Sequence, residues 1–289
     1  RRENAAGETV IMAEEKKTPD GKIPMPVANF KVDANPGSRV KKMIGVVSGK
    51  GGVGKSSVTG LCALWSLRHG YRPGIMDCDI TGPSIPRMFG VTSDDIGVEG
   101  VRPDGEGGTL IPAETSTGIK VMSMNLLMQN EEQPVVWRGP IVAGIVKQFW
   151  TDVKWGDVDY MFVDMPPGTG DVPLTVFQSL PVDGIIIVTT PQDLVSMIVK
   201  KAVNMAKDMQ IPILGIVENM SYVPCPHCGE KVYMFGESHA DEVAKAENTV
   251  LIDSLPIDPK MAQAMDGGTM EFYETQALEK LSEVLPKLD

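Results

Sequence analysis

The chain of 289 residues is short of positive charge, with 27 Lys and Arg against 38 Asp and Glu and a formal net charge of −11. No run of Lys or Arg exceeds a pair, so electrostatic attraction to nucleic acid or an anionic membrane is disfavoured. No apolar stretch approaches the roughly twenty residues that cross a bilayer. Nor does Arg1-Arg2-Glu3-Asn4 lead into the hydrophobic segment of a secretion signal. The expectation is a cytoplasmic protein that binds neither membrane nor nucleic acid. Cysteine is scarce as well: four residues do not make a disulfide framework, and the close pairing of two of them suits reduced thiols used for metal or redox chemistry. Internal repeats and low-complexity tracts are absent.

Residues 1–39 are rich in Glu, Lys, Pro, Asn and Gly, with Pro19, Pro24, Pro26 and Pro36 interrupting any helix, and are expected to form a flexible tail. Residues 40–289 read as one domain. Apolar runs alternate with amphipathic stretches in the βαβ manner, which predicts an α/β fold: a mostly parallel β-sheet with helices on both faces. Strands are expected at 42–48, 73–78, 119–123, 158–164, 184–189 and 213–218. Helices are expected at 55–69, 139–151, 173–179, 193–209, 236–246 and 272–285, with Gly70 and Gly90 as stops. The eighteen methionines, Trp150 and Trp155 read as core filling.

The most informative segment is Gly49-Lys50-Gly51-Gly52-Val53-Gly54-Lys55-Ser56, between the apolar run Met43-Ile44-Gly45-Val46-Val47 and a helical stretch. Its glycines let backbone N–H groups turn inward around a phosphate, and the following helix adds its positive N-terminal dipole. Lys55 is placed to reach the β- and γ-phosphates, and Ser56, followed by Ser57, to offer a hydroxyl to a nucleotide-bound Mg²⁺. ATP or GTP is the expected ligand. In open parallel sheets ligands gather at the carboxyl ends of strands, where Asp77, Asp79 and Asp164 stand. A lone Asp there is more often a turn or cap, but three after a phosphate loop favour metal holding and water orientation. No His or Glu near these motifs offers a strong base, so slow intrinsic hydrolysis is expected.

Lys50 is not needed for a solitary phosphate cradle. It reads either as a solvated charge or as a reach toward phosphates bound by a second subunit. The pattern Lys-Gly-Gly-x-Gly-Lys-Ser resembles the deviant Walker A ATPases related to MinD, ParA and nitrogenase iron protein. That resemblance implies a P-loop NTPase fold and a nucleotide-sandwich homodimer in which Lys50 crosses to the partner's nucleotide. It also implies ATP as the nucleotide, Asp79 orienting the attacking water, and Asp77 and Asp164 serving Mg²⁺. Asp77-Cys78-Asp79-Ile80-Thr81-Gly82-Pro83-Ser84-Ile85-Pro86 and Asp164-Met165-Pro166-Pro167-Gly168-Thr169-Gly170-Asp171 look like its two switch segments. Asn219, Pro256 and Asp258 fall where the family contacts the base.

Within the segment of about 220–235, Cys225-Pro226-His227-Cys228-Gly229 places two thiols on one side of a knuckle, a geometry shared by zinc ribbons and iron-sulfur sites. Cys62 falls in the helix after the phosphate loop and Cys78 between Asp77 and Asp79, both poorly placed to join. Either kind of site needs about four ligands, so one chain supplies half and a twofold dimer the whole. A cluster held between subunits is exposed and labile, which suits transfer.

Taken together, these motifs resemble the Mrp group of iron-sulfur cluster carrier ATPases. Carrying the resemblance are Gly82-Pro83-Ser84-Ile85-Pro86, Trp137-Arg138-Gly139-Pro140, Pro166-Pro167-Gly168-Thr169-Gly170-Asp171, Thr190-Pro191-Gln192 and Glu218-Asn219-Met220-Ser221. It covers about residues 40–285 and implies a [4Fe-4S] cluster on Cys225 and Cys228, with apo iron-sulfur proteins and cluster-assembly factors as partners. Two readings stay open beside it, a MinD- or ParA-like positioning ATPase and a dimeric NTPase with a structural zinc.

Overall fold

A computed structural model of the chain describes residues 2–3, 9–10, 31–80, 82, 84–100, 108–128, 139–191 and 195–288. After a short antiparallel pair, β1 (Arg2–Glu3) and β2 (Thr9–Val10), the central sheet opens with β3 (Ser38–Ser48). Then come α1 (Lys55–Arg68), β4 (Pro73–Asp77) and α2 (Ile85–Phe89), followed by the antiparallel pair β5 (Gly97–Glu99) and β6 (Thr109–Ile111). β7 (Ala113–Glu114), β8 (Lys120–Ser123), α3 (Gly139–Thr151), β9 (Gly156–Asp164), α4 (Asp171–Ser179), β10 (Gly184–Thr189) and α5 (Val195–Asp208) complete the middle. The last part holds β11 (Ile213–Pro224), β12 (Lys231–Val232), α6 (Ala240–Ala246), β13 (Leu251–Pro256), α7 (Pro259–Asp266) and α8 (Leu281–Val284).

The sheet runs β12-β11-β10-β3-β9-β4-β8-β7, with β13 beside β11. Its pairs are parallel except at β12 and β7. Such strands are covered on both faces and therefore read as unbroken apolar runs; β10 and β4 are buried throughout. Along β3 the pleat sends Met43 and Val47 into the core beneath α3, α4 and α5, and Ile44 and Val46 into the core beneath α1, α2 and α8. Trp155 is fully buried, its indole donating to the Phe149 carbonyl at 2.9 Å.

The parallel α/β architecture agrees with the expectation, and so do the helix stops. Gly70 and Gly90, after α1 and α2, have φ of 79° and 64°. The expected helix over 272–285 does not form. A 3-10 turn ends at Phe272 and only Leu281–Val284 is α-helical. The Arg68 guanidinium takes the carbonyls of Tyr273 and Thr275, and the Asp253 carboxylate takes the Leu278 N–H at 2.8 Å. Distant side chains thus hold backbone groups that an uninterrupted helix would pair internally. The helix expected from 236 begins only at Ala240.

The body also reaches back into the expected tail. The Val32 N–H donates to the Ser179 carbonyl, Trp150 Nε1 to the Val32 carbonyl, and Asn35 Nδ2 to the Thr151 carbonyl. Thr81, Pro83, Trp137, Arg138 and Gln192 lie outside the described residues.

Candidate functional site: a phosphate loop, three aspartates and a cysteine hairpin

The segment Gly49–Ser56 links β3 to α1 at the carboxyl edge of the sheet. Gly52 and Gly54 both have φ of 77°. A side chain at Gly54 would be strained by that backbone and would also meet Asn219 Nδ2 at 2.1 Å. Gly54 caps α1, whose first turn carries no acidic residue, so the positive end of the helix is left for an anion. In front of it lies a cavity of 260 Å³, whose lining includes Gly51, Gly52, Val53, Gly54, Lys55, Ser56, Ser57 and Asp79. Gly49 and Lys50 form the half-exposed entry to the loop, where the Ser48 hydroxyl donates to the Lys50 carbonyl at 3.0 Å.

Asp77 and Asp164 end adjacent strands and are register partners, so the fold sets two carboxylates side by side beneath the loop. Asp164 is fully buried. Lys55 Nζ and the Thr59 hydroxyl reach its Oδ1, each at 2.8 Å, and the Ser56 hydroxyl reaches its Oδ2 at 2.6 Å. Asp79 Oδ2 lies 3.5 Å from Lys55 Nζ. Asp77 accepts from the Ser123 hydroxyl at 3.0 Å and the Asp79 N–H at 3.1 Å. Burial, and then the neighbouring Asp164, push the Asp77 carboxyl up to about 8, against the opposing pull of Lys55. Ser56 and Asp79 line the phosphate cavity, and Asp77 and Asp164 lie buried next to them without lining it; together they are hard oxygen donors of the kind that suits Mg²⁺. Ser56, Asp77 and Asp164 would hold it.

Sequence reasoning missed Thr59 and Ser123. Thr59 follows Lys55 by four positions and so shares its helix face, a signal that the spacing alone contained. Ser123 ends β8 in register with Asp77, which only strand order reveals.

Of the expected base contacts, Asn219 is buried beside the loop and donates Nδ2 to the Val53 carbonyl at 2.9 Å. Its Oδ1 has no hydrogen-bond partner among the described residues. Pro256 and Asp258 do not line the phosphate cavity. They border a separate 30 Å³ pocket with Leu61, Met261 and Tyr273. Asp258 caps α7 through the Lys260 N–H at 2.8 Å and accepts from the Tyr273 hydroxyl at 2.6 Å.

The strand that brings Asn219 to the loop continues to the cysteines. β11 pairs with β12 to form a hairpin closed by Cys225 N–H to the Glu230 carbonyl at 2.8 Å and Gly229 N–H to the Cys225 carbonyl at 2.9 Å. Gly229 has φ of 76°, as the tight knuckle requires. Cys225 is half-buried and Cys228 exposed, whereas Cys62 and Cys78 are wholly buried. The Cys225 thiol is held below its ordinary pKa first by the backbone N–H of Cys228, then by that of His227 and by the Cys228 side chain. Thiolate is the form that binds metal. No group of three or more His, Cys, Asp or Glu among the described residues is arranged to hold a metal ion.

The sequence profile of the NUBPL iron-transfer P-loop NTPases matches residues 39–288. The chain belongs to this family. Among relatives of this NUBPL-type NTPase, the iron-sulfur cluster carrier protein of Clostridium perfringens is 47% identical over 81% of the chain and 82% of its own length. That of Pyrococcus horikoshii is 44% identical over 86% and 85%. A nucleotide-binding protein of Archaeoglobus fulgidus, solved in complex with ADP, superposes with a TM-score of 0.72 at 42% identity, over 83% of this chain and 91% of that one. MinD of Aquifex aeolicus shares the fold at 17% identity, with a TM-score of 0.55 over 86% and 100%. The MinD- and ParA-like fold of this NTPase is the one its loop motif implied. Among its described residues no helix is long and apolar enough to cross a membrane.

Proposed function

We propose that this NTPase is an ATP-dependent carrier that holds a [4Fe-4S] cluster between two copies of the chain, through Cys225 and Cys228 of each, and passes it to apo iron-sulfur proteins. The observation that carries the reading is an exposed cysteine hairpin built on the strand whose Asn219 also touches the phosphate loop. The names of the relatives support the same cargo. With two suitably placed thiols per chain, a four-ligand site requires a second copy.

Lys55 and the N–H groups of the loop bind the phosphates, and Lys50 reaches across the dimer to the partner's nucleotide. When bound, Mg²⁺ supplies charge neutralisation at the phosphates. Asp79, which lines the cavity, orients the attacking water, and Asn219 contacts the base. Nucleotide competes with Asp164 for Lys55, so binding must loosen the resting contact at the end of β9. Coupling to the cluster requires that nucleotide and cluster each distinguish the same two arrangements of the dimer.

The test is the content of iron, acid-labile sulfide and zinc in protein purified without oxygen, read with its visible absorption spectrum. Roughly four iron and four sulfide per dimer with a broad charge-transfer band are expected. Zinc without sulfide, persisting after anaerobic reconstitution with iron and sulfide, would replace the carrier with a structural-zinc NTPase.

A further inference from the structure

We infer that Thr59 is a positioning residue that keeps the Asp164 carboxylate aimed at the Mg²⁺ position once nucleotide has drawn Lys55 away from its Oδ1. This rests on the reading of Lys55 and Ser56 as phosphate and Mg²⁺ contacts. Asp164 is fully buried, and three side chains donate to it: Lys55 at 2.8 Å, Ser56 at 2.6 Å and Thr59 at 2.8 Å. Lys55 and Ser56 line the nucleotide cavity; when it fills, the Lys55 ammonium turns to phosphate, while a Ser56 hydroxyl that lends its oxygen to a cation still donates its proton to Oδ2. A buried carboxylate oxygen stripped of its donors is strongly disfavoured, so Thr59 acquires the duty of holding Oδ1.

Thr59 is built for that. It is fully buried, does not line the cavity, and lies in the interior of α1, where a β-branched side chain has few rotamers. Its hydroxyl has a single proton and two acceptors, the Lys55 carbonyl at 3.1 Å and Asp164 Oδ1 at 2.8 Å. The carboxylate is both nearer and charged, and charge-assisted hydrogen bonds are the stronger kind. In the competing arrangement the threonine merely bonds back to its own helix, and Asp164 would be indifferent to it.

The experiment compares Thr59→Val and Thr59→Ser with the unchanged protein, with Lys55→Ala and Asp164→Asn as references. ADP affinity is measured by calorimetry with and without Mg²⁺, and Mn²⁺ binding to the ADP-bound protein by electron paramagnetic resonance. Thr59→Val should keep its metal-free ADP affinity while the divalent-ion affinity falls about tenfold, the low end for residues that orient metal ligands. Thr59→Ser should restore most of the loss. Thermal melts check folding, and Thr59→Ala replaces Thr59→Val, with the same expectation, if the valine variant does not fold. Unchanged Mg²⁺ and Mn²⁺ affinity in the hydroxyl-free variant, with Asp164→Asn impaired, overturns the role of Thr59 alone. Undiminished ADP binding by Lys55→Ala would instead bring down the phosphate-loop reading on which it stands.

Discussion

The two ends of β11 differ in kind. Beside Asn219 lies a buried, cross-linked assembly in which Asp164 is fully buried, Lys55 is 6% exposed and each carboxylate oxygen of Asp164 has a donor. Past Pro224 lies a hairpin whose Cys228 is exposed and whose neighbours Tyr233, Met234 and Phe235 are 45%, 63% and 46% exposed. The first is a site assembled within one chain, whose Lys55 must leave Asp164 before it can meet a phosphate. The second is an open pair of thiols, and in the proposed carrier that openness is what a passing cargo needs.

Removing one thiol should give the sharpest contrast between these regions. Cys225→Ala or Cys228→Ala is expected to abolish stable cluster binding after anaerobic reconstitution and to leave ADP affinity unchanged. A full cluster on both variants would break the assignment. On the buried side, Lys55→Ala removes one partner of a buried ion pair. It should cost about 3–5 kcal/mol in urea unfolding as well as abolishing tight nucleotide binding. A smaller loss, about 1–3 kcal/mol, is expected from Gly54→Ala, which forces a β-carbon onto a left-handed backbone and against Asn219. Because Asn219 would be displaced, nucleotide affinity should fall with it.

The gentlest test is pH. The Asp77 carboxyl lies well above its ordinary value in the nucleotide-free fold, up to about 8, because of burial and of Asp164. A raised folded-state pKa means that the native state holds the proton more tightly than the unfolded chain. The contribution to stability is complete below about pH 4 and is lost progressively as pH rises toward 8. Asp77→Asn should flatten that decline. At pH 8 it should raise the Tm of the nucleotide-free protein by about 2–4 °C, which corresponds to about 1 kcal/mol. Saturating Mg²⁺ and nucleotide should erase the advantage, since the charged carboxylate then has a cation to face.

Local patterns announced the elements that carry chemistry. Met43–Val47 reads as a strand because both its faces are buried, and α1 reads as a helix because glycines bracket it. The segment 272–285 was illegible for the opposite reason: its pattern is helical, yet Arg68 and Asp253 claim its backbone groups from elsewhere in the chain. Asp258, where the resemblance implied a base contact, is also the cap of α7, which only the folded chain reveals.

By itself the sequence determined the phosphate loop, the acidic strand ends, the cysteine knuckle and the family, because each is written in contiguous residues whose backbone requirements are local. Only the tertiary structure decided that Asp77 and Asp164 lie abreast, that Thr59 and Ser123 serve them, and that Asn219 joins the loop to the cysteine strand. Those contacts depend on strand order and register, which bring together residues that no local spacing connects.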